Sequence, residues 1–156
     1  MTEKFQTNCK YCSDDGMVPG LLNVASLASS SVFLLPDAEH PGRCVVAASW
    51  HVRELFELSP ARMHTFMDDV NLVASALSRV GACDKVNIAL YGDMSDHVHA
   101  HVVPKWRGTQ GWGQIFSLQP NALENGAGPT PFSGLPWQNI AGRLRDALSG
   151  MTSSGG

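Results

Sequence analysis

The amino-acid sequence predicts a single α+β domain. Val98, Ala100 and Val102 alternate with His97, His99 and His101 in one continuous run, which is the two-residue period of an extended strand. Between Met63 and Val80, apolar residues recur instead at three- and four-residue spacing, the period of a helix laid on a core. Lys85 to Tyr91 then alternates again. At 156 residues the chain is long enough for one domain with a real core, and it contains no internal repeat.

The elements follow in order. Ser31 to Leu35 and Arg43 to Ser49 read as strands, joined by a turn holding Pro36, Asp37, Pro41 and Gly42. A short helical turn is expected around Val52 to Leu58. The main helix opens with Ser59 as N-cap and Pro60 at its first position, where the missing N–H costs nothing. Met63, Phe66, Met67, Val70, Val73, Ala74, Leu77 and Val80 form its core stripe. Asp68, Asp69, Ser75 and Arg79 fall on the other side, and Gly81 stops the helix.

Lys85 to Tyr91 places Val86, Ile88 and Leu90 on one face of a strand. Gly92 to Asp96 is a short loop that returns the histidine run as hairpin partner. The apolar faces of both strands are expected against the helix, with Asn87, Ala89 and Tyr91 sharing the face of the histidines. Arg107 to Gly134, rich in Gly, Pro, Gln and Asn, reads as irregular, with Trp106, Trp112 and Phe116 as anchors or as flanks of a ligand. Leu135 to Leu148 looks like a closing helix and Thr152 to Gly156 a frayed tail. The whole is one domain over 1–156: a core of 9–116, a C-terminal extension with a helix over 117–150, and a flexible tail over 151–156.

Composition narrows the function. Apolar residues make up 44%, charged residues 16%, and the net charge is −3, so the basic stripe that nucleic-acid binding needs is missing. The most apolar stretch, Leu21 to Leu35, is broken by Asn23 and several serines and does not read as a membrane span. Met1-Thr2-Glu3-Lys4 carries no signal-peptide pattern, so a cytoplasmic protein is expected. Cys44, in an apolar strand, reads as a buried small hydrophobe, and Cys83 as an ordinary thiol after the helix. Cys9 and Cys12 form a C-x-x-C that can chelate zinc or act as a redox pair. No strand precedes it and no helix follows, which disfavours the redox reading. A metal would need two more ligands, and histidines are the available ones.

The alternating histidines place imidazoles in line at intervals of about 6–7 Å on one side of a strand. Half of the six histidines lie within five residues. Two chemistries suit that row. Two of them with His51 could bind a metal with an open position. Alternatively, a neutral imidazole could attack phosphorus, provided that one ring nitrogen is bare and the other is held as N–H. His99, with His101 beside it and Arg43 and Lys105 nearby, meets the second set of needs. Residue types alone leave both open.

The run His97-Val98-His99-Ala100-His101-Val102-Val103 resembles the signature of the histidine-triad (HIT) family, in which three histidines alternate with apolar residues. Gly42 to His51 and His51 to Ser59 are similar to the family's strand and the segment leading into its long helix, and the likeness spans roughly Cys9 to Phe116. It implies an antiparallel sheet of about five strands packed on that helix, a homodimer, and hydrolysis or transfer of nucleotides through a covalent nucleotidyl-histidine. His99 would be the nucleophile and His101 would contact the phosphate or leaving group. Some members carry a structural zinc, and their ligands map onto Cys9, Cys12, His51 and His97. Arg43 stands where many members have histidine, and an arginine can hold phosphate but not shuttle a proton. Asn87, Lys105 and Asp37 are further substrate-binding candidates, the last toward ribose. Dinucleoside polyphosphates and nucleoside phosphoramidates are the substrate classes implied. A metal hydrolase using His51, His97 and His99, or a nucleotide-binding module without turnover, are the alternatives.

Overall fold

The computed structural model describes residues 8–116 and 128–153. Its elements are β1 (Leu22–Ser26), β2 (Ser30–Leu34), β3 (Cys44–Ala48), a 3₁₀ turn at Leu55–Glu57, α1 (Pro60–Gly81), β4 (Lys85–Ala89), β5 (His99–Lys105) and α2 (Trp137–Ser153). The five strands form one antiparallel sheet in the order β1-β2-β3-β5-β4. The fold is therefore α+β, as the alternation and the helical stripe predict. No helix among the described residues is long and apolar enough to cross a membrane.

One face of the sheet carries both helices. Val24, Val32, Leu34, Cys44, Val46, Ala100 and Val102 point to that side and pack against Phe66, Val70, Val73 and Leu77 of α1 and Ile140, Leu144 and Leu148 of α2. The core thus draws on residues well past 116. On the opposite face Phe33, Leu35, Val45 and Ala47 form a smaller cluster with Val18, covered by the N-terminal segment through Tyr11 and Leu21. His99, His101 and Lys105 emerge on this second face because they alternate with the core residues of β5.

Local chemistry explains the boundaries. Ser59 accepts a hydrogen bond from the Arg62 amide at 3.4 Å and Pro60 starts α1. Gly81 is the last helical residue, and Ala82 takes the left-handed conformation at φ 42°. What position 81 requires is space, since a Cβ there would lie 3.1 Å from the Phe132 ring. Gly42 combines both demands, with φ +93° and a Cβ position 2.6 Å from Phe132.

Several expectations change. Residues 22–26 form an edge strand that the sequence reading does not assign, with an irregular register between Asn23 and Ala25. His97 and Val98 precede β5 rather than belonging to it, although the Val98 amide still bonds Val52 O. Ile88 and Leu90 face the helix side but remain 43% and 40% exposed, because α1 does not extend over the far edge of the sheet. α2 runs through Thr152 to Ser153, with the Thr152 hydroxyl on Leu148 O. Residues 1–7, 117–127 and 154–156, with them most of the expected tail and part of the irregular stretch, lie outside the described residues.

Asp69 departs furthest. Expected on the solvent side of α1, it is buried and accepts hydrogen bonds from the Ser29 amide at 2.8 Å, the Ser29 hydroxyl at 2.9 Å and the Ser30 hydroxyl at 2.8 Å. One carboxylate thus ties the β1–β2 hairpin to α1. Asp69→Ala strands a buried amide and two hydroxyls, and is expected to cost about 1–3 kcal/mol. Urea unfolding checks this through a lower midpoint at unchanged slope.

Candidate functional site

β5 lies between β3 and β4, so the histidine strand is an interior strand, one removed from the β4 edge. His99 pairs with Ala47 and His101 with Val45 across β3, while Ala89 of β4 stands opposite His101. A cleft of about 280 Å³ opens over this face, lined among others by Lys10, Tyr11, Leu35, Tyr91, His99 and His101. Its sides come from the N-terminal segment and the loop after β4.

At one end of the row, Cys9, Cys12, His51 and His97 bring one ligand atom each within 4.8 Å of one another. Cys9 Sγ lies 3.4 Å from His97 Nδ1, and Cys12 Sγ lies 3.3 Å from His51 Nδ1 and 3.5 Å from His97 Nδ1. Sulfur at about 2.3 Å and nitrogen at about 2.0 Å from a tetrahedral zinc would stand about 3.5 Å apart, so this donor set fits such a metal. His97 Nε2 lies 2.8 Å from Ala48 O. A carbonyl only accepts, so Nε2 carries the proton and Nδ1 turns its lone pair to the cysteines. The four residues can hold a metal ion without drawing on His99.

His99 is oriented by the same logic. Its Nδ1 donates to His97 O at 2.7 Å, which leaves Nε2 bare. Burial lowers its pKa, with the Lys10 charge adding to the effect, so the ring is neutral near pH 7. The backbone of one triad histidine therefore sets the tautomer of the next.

A buried polar network lies beyond His101. Arg43, fully buried, places NH1 2.9 Å from Asp37 Oδ2 and NH2 3.2 Å from His101 Nδ1, under the Phe116 ring at 4.8 Å. Asp37 Oδ1 takes the Glu39 and His40 amides at 3.1 and 3.3 Å. Burial would raise the Asp37 pKa, but hydrogen bonds from His40 and Arg43 outweigh it and hold the carboxyl below its usual range. Lys105 Nζ reaches Gly111 O at 2.8 Å, Gln114 O at 3.1 Å and His40 Nε2 at 3.1 Å.

These contacts redistribute the expected substrate groups. Both Asp37 oxygens are engaged within the protein, Oδ1 by the turn amides and Oδ2 by Arg43. Lys105 is buried beneath the 111–114 loop and does not line the cleft, because the carbonyls there engage its ammonium. Asn87 shares the histidine face, opposite Val103, but lines a separate groove with Ile88, Ile115 and Phe116.

Sequence reasoning passes over Lys10 and Tyr11. Both sit between Cys9 and Cys12 and are brought to the cleft by the loop those cysteines define. The Tyr11 ring lies 5.1 Å from His99 and 5.4 Å from His97. Burial, followed by the charge of Cys9, pushes its pKa up to about 12. Lys10 Nζ stands 4.8 Å from the Tyr11 ring and supplies the cationic head among the described lining residues. The signal that could find them is the pair of cysteines itself, which forces the residues between them into the site. His40, at the junction of Asp37 and Lys105, has no signal in sequence.

Burial holds His97 down to about 4 and His101 down to about 3, with Arg43 the next cause for His101. Unfolded histidine takes its proton near pH 6.5. Folding stability is therefore full above that pH and falls as pH drops toward these lower values, because the unfolded chain binds the protons. Asp37 adds its own loss only below about pH 3.9. Metal-free protein should show a thermal midpoint that declines from pH 6.5 to 4.5, less steeply in His101→Gln; differential scanning calorimetry across that range checks it.

The HIT-domain family model matches residues 24–108. No curated protein sequence matches the chain. A histidine triad protein from Bradyrhizobium japonicum is similar at 23% identity and TM-score 0.68, over 83% of this chain and 91% of that one. A zinc-bound histidine triad family protein from Mycobacterium smegmatis is similar at 20% identity and TM-score 0.67, over 94% and 97%. A Hit-like protein of Bartonella henselae, described as involved in cell-cycle regulation, is similar at 16% identity and TM-score 0.65, over 92% and 98%. With the match covering β2 to β5, most of β1, α1 and the three histidines, this chain belongs to the HIT-domain family.

Proposed function

We propose that the protein is a nucleotide hydrolase or transferase that cleaves a nucleoside 5′-phosphoryl bond through a nucleotidyl-His99 intermediate. The observation that carries this reading is the neutral His99 ring at the cleft, its Nδ1–H fixed on His97 O and its Nε2 lone pair unblocked. In the first step the Nε2–phosphorus bond forms and the bond from phosphorus to the leaving group breaks, its electron pair departing with a phosphate chain, nucleotide or amine. In the second, water oxygen bonds phosphorus and the nitrogen–phosphorus bond breaks, restoring the imidazole. His101 contacts the phosphoryl oxygens, and Arg43 acts behind it.

A Cys₂His₂ zinc site is the closed, structural kind, and the four clustered residues support zinc as its occupant. Bound there, the metal would hold the N-terminal segment against β5. The reading in which His51, His97 and His99 share a catalytic metal is disfavoured, since His99 is turned to a backbone carbonyl. A second copy of the chain is proposed at the β4 edge, where Ile88, Leu90 and Ile115 stay exposed. A cytoplasmic location is proposed, in keeping with four free cysteines.

Intact-protein mass spectrometry after brief exposure to adenosine polyphosphates or an adenosine phosphoramidate is the test. Wild type should gain one acid-labile nucleotidyl unit, and His99→Ala should gain none while losing about three orders of magnitude or more in turnover. Nucleotide binding without any adduct or turnover would instead identify a binding module. Immediate loss of chemistry on chelation in still-folded protein would favour the metal hydrolase.

Lys10 is proposed to hold the phosphates at the mouth of the cleft. Lys10→Ala should raise KM about tenfold, equivalent to about 1.4 kcal/mol, with kcat little changed and the difference shrinking at high salt. Steady-state kinetics at two ionic strengths checks this.

A further inference from the structure

We infer that the buried Arg43–Asp37 ion pair fixes His101 as a neutral imidazole protonated at Nε2, so that His101 serves as a hydrogen-bond donor and not as an acid or base. The part concerning the reaction rests on the function proposed above. The part concerning the ring does not.

A guanidinium offers donors only and stays protonated at any pH a folded protein meets. Its NH2 stands 3.2 Å from His101 Nδ1, a contact that is satisfied only if Nδ1 presents its lone pair. The ring proton then belongs on Nε2. The guanidinium cannot swing away, because Asp37 holds NH1 at 2.9 Å and Phe116 covers its face. Asp37 is in turn fixed by the Glu39 and His40 amides of its own turn.

Either change of protonation is closed to this ring. Adding a proton at Nδ1 would set two N–H groups against each other and a cation beside a buried cation. Removing the proton from Nε2 would create an imidazolate, far outside the neutral range. The remaining groups facing His101 reinforce this. His99 at 5.3 Å, Tyr91 at 6.2 Å and Phe116 at 6.0 Å between ring centroids bring no negative charge. Lys10 disfavours a cation, and the Asp37 carboxylate is already paired with Arg43. What the ring offers a substrate is one N–H, suited to an oxygen of the phosphoryl group. Arg43 is thus a positioning residue, acting through His101 where a phosphate contact was expected of it.

The test is a long-range ¹H–¹⁵N correlation spectrum of zinc-loaded, histidine-labelled protein between pH 5 and 8, with His101 assigned by its loss in His101→Gln. The expected result is an unprotonated Nδ1 and a protonated Nε2 at every pH. A proton on Nδ1, or titration to imidazolium in that range, would overturn the inference. In Asp37→Asn/Arg43→Met the second tautomer should appear; a single unchanged tautomer would remove Arg43 as its cause. If that double variant does not fold, the wild-type spectrum decides alone. In adduct formation, His101→Gln, which keeps a donor near the Nε2 position, should lose no more than about tenfold, and His101→Ala about a hundredfold or more. Equal losses would show that His101 does more than donate. Absence of any adduct in wild type would sink the proposed function, while the spectrum would still decide the tautomer.

Discussion

The register of β5 is the constraint on which everything else hangs. Val98, Ala100 and Val102 are locked into the helix-side core, and the strand is paired on both edges. Side chains alternate with period two, so His99 and His101 have no choice of face. A slip of one residue would drive two imidazoles into an apolar core and expel three aliphatic residues. The hydrophobic effect thereby aims polar groups that gain nothing from it themselves. Once the strand is set, each histidine differs only in what its ring nitrogens meet: cysteines for His97, a carbonyl for His99, a guanidinium for His101.

That sequence of partners shows how one repeated residue type acquires three different surroundings. The backbone supplies the carbonyl for His99, His97 O, and a second partner for His97, Ala48 O, and backbone positions follow from the fold alone. The third partner, Arg43, is a side chain buried at a cost that its contact with Asp37 offsets. The Asp37–His40 turn and the Lys105 contacts extend this network to the 111–114 loop. A polar seam therefore runs beneath the cleft from β2 to the segment after β5, and each member is held by at least one fixed neighbour.

Much of this is legible in the amino-acid sequence. Period-two alternation reveals β4 and β5, a period-3.6 stripe reveals the half-buried α1, and β2 and β3 read as apolar runs between turn residues, while the family resemblance points to the four residues that can hold a metal. β1 escapes because a short edge strand with a bulge carries little alternation. Asp69 is misplaced because a helical wheel distinguishes polar from apolar, whereas burial of a carboxylate depends on donors arriving from Ser29 and Ser30, some forty residues away in sequence. The partners of Lys105 and Asp37 are hidden for the same reason: charge is visible in a sequence, but the neighbours that engage it are not. Lys10 is hidden in plain view between two cysteines, since spacing rules attend to the ligands and skip what they enclose.

Arg145, on α2, donates to Asn23 O and Val24 O, closing sequence separations of 121 and 122 residues. The outermost strand at one end of the chain is thus clasped by the helix at the other. Contacts of this span carry a large loop-closure entropy and tend to form late. A nascent chain that has built its central hairpin still lacks Phe132, Ile140, Leu144 and the clasp, and its helix-side core stays open. The histidine strand is in this sense assembled before the molecule is sealed, and the last helix acts as a latch on a domain whose cleft lies on the far side of the sheet.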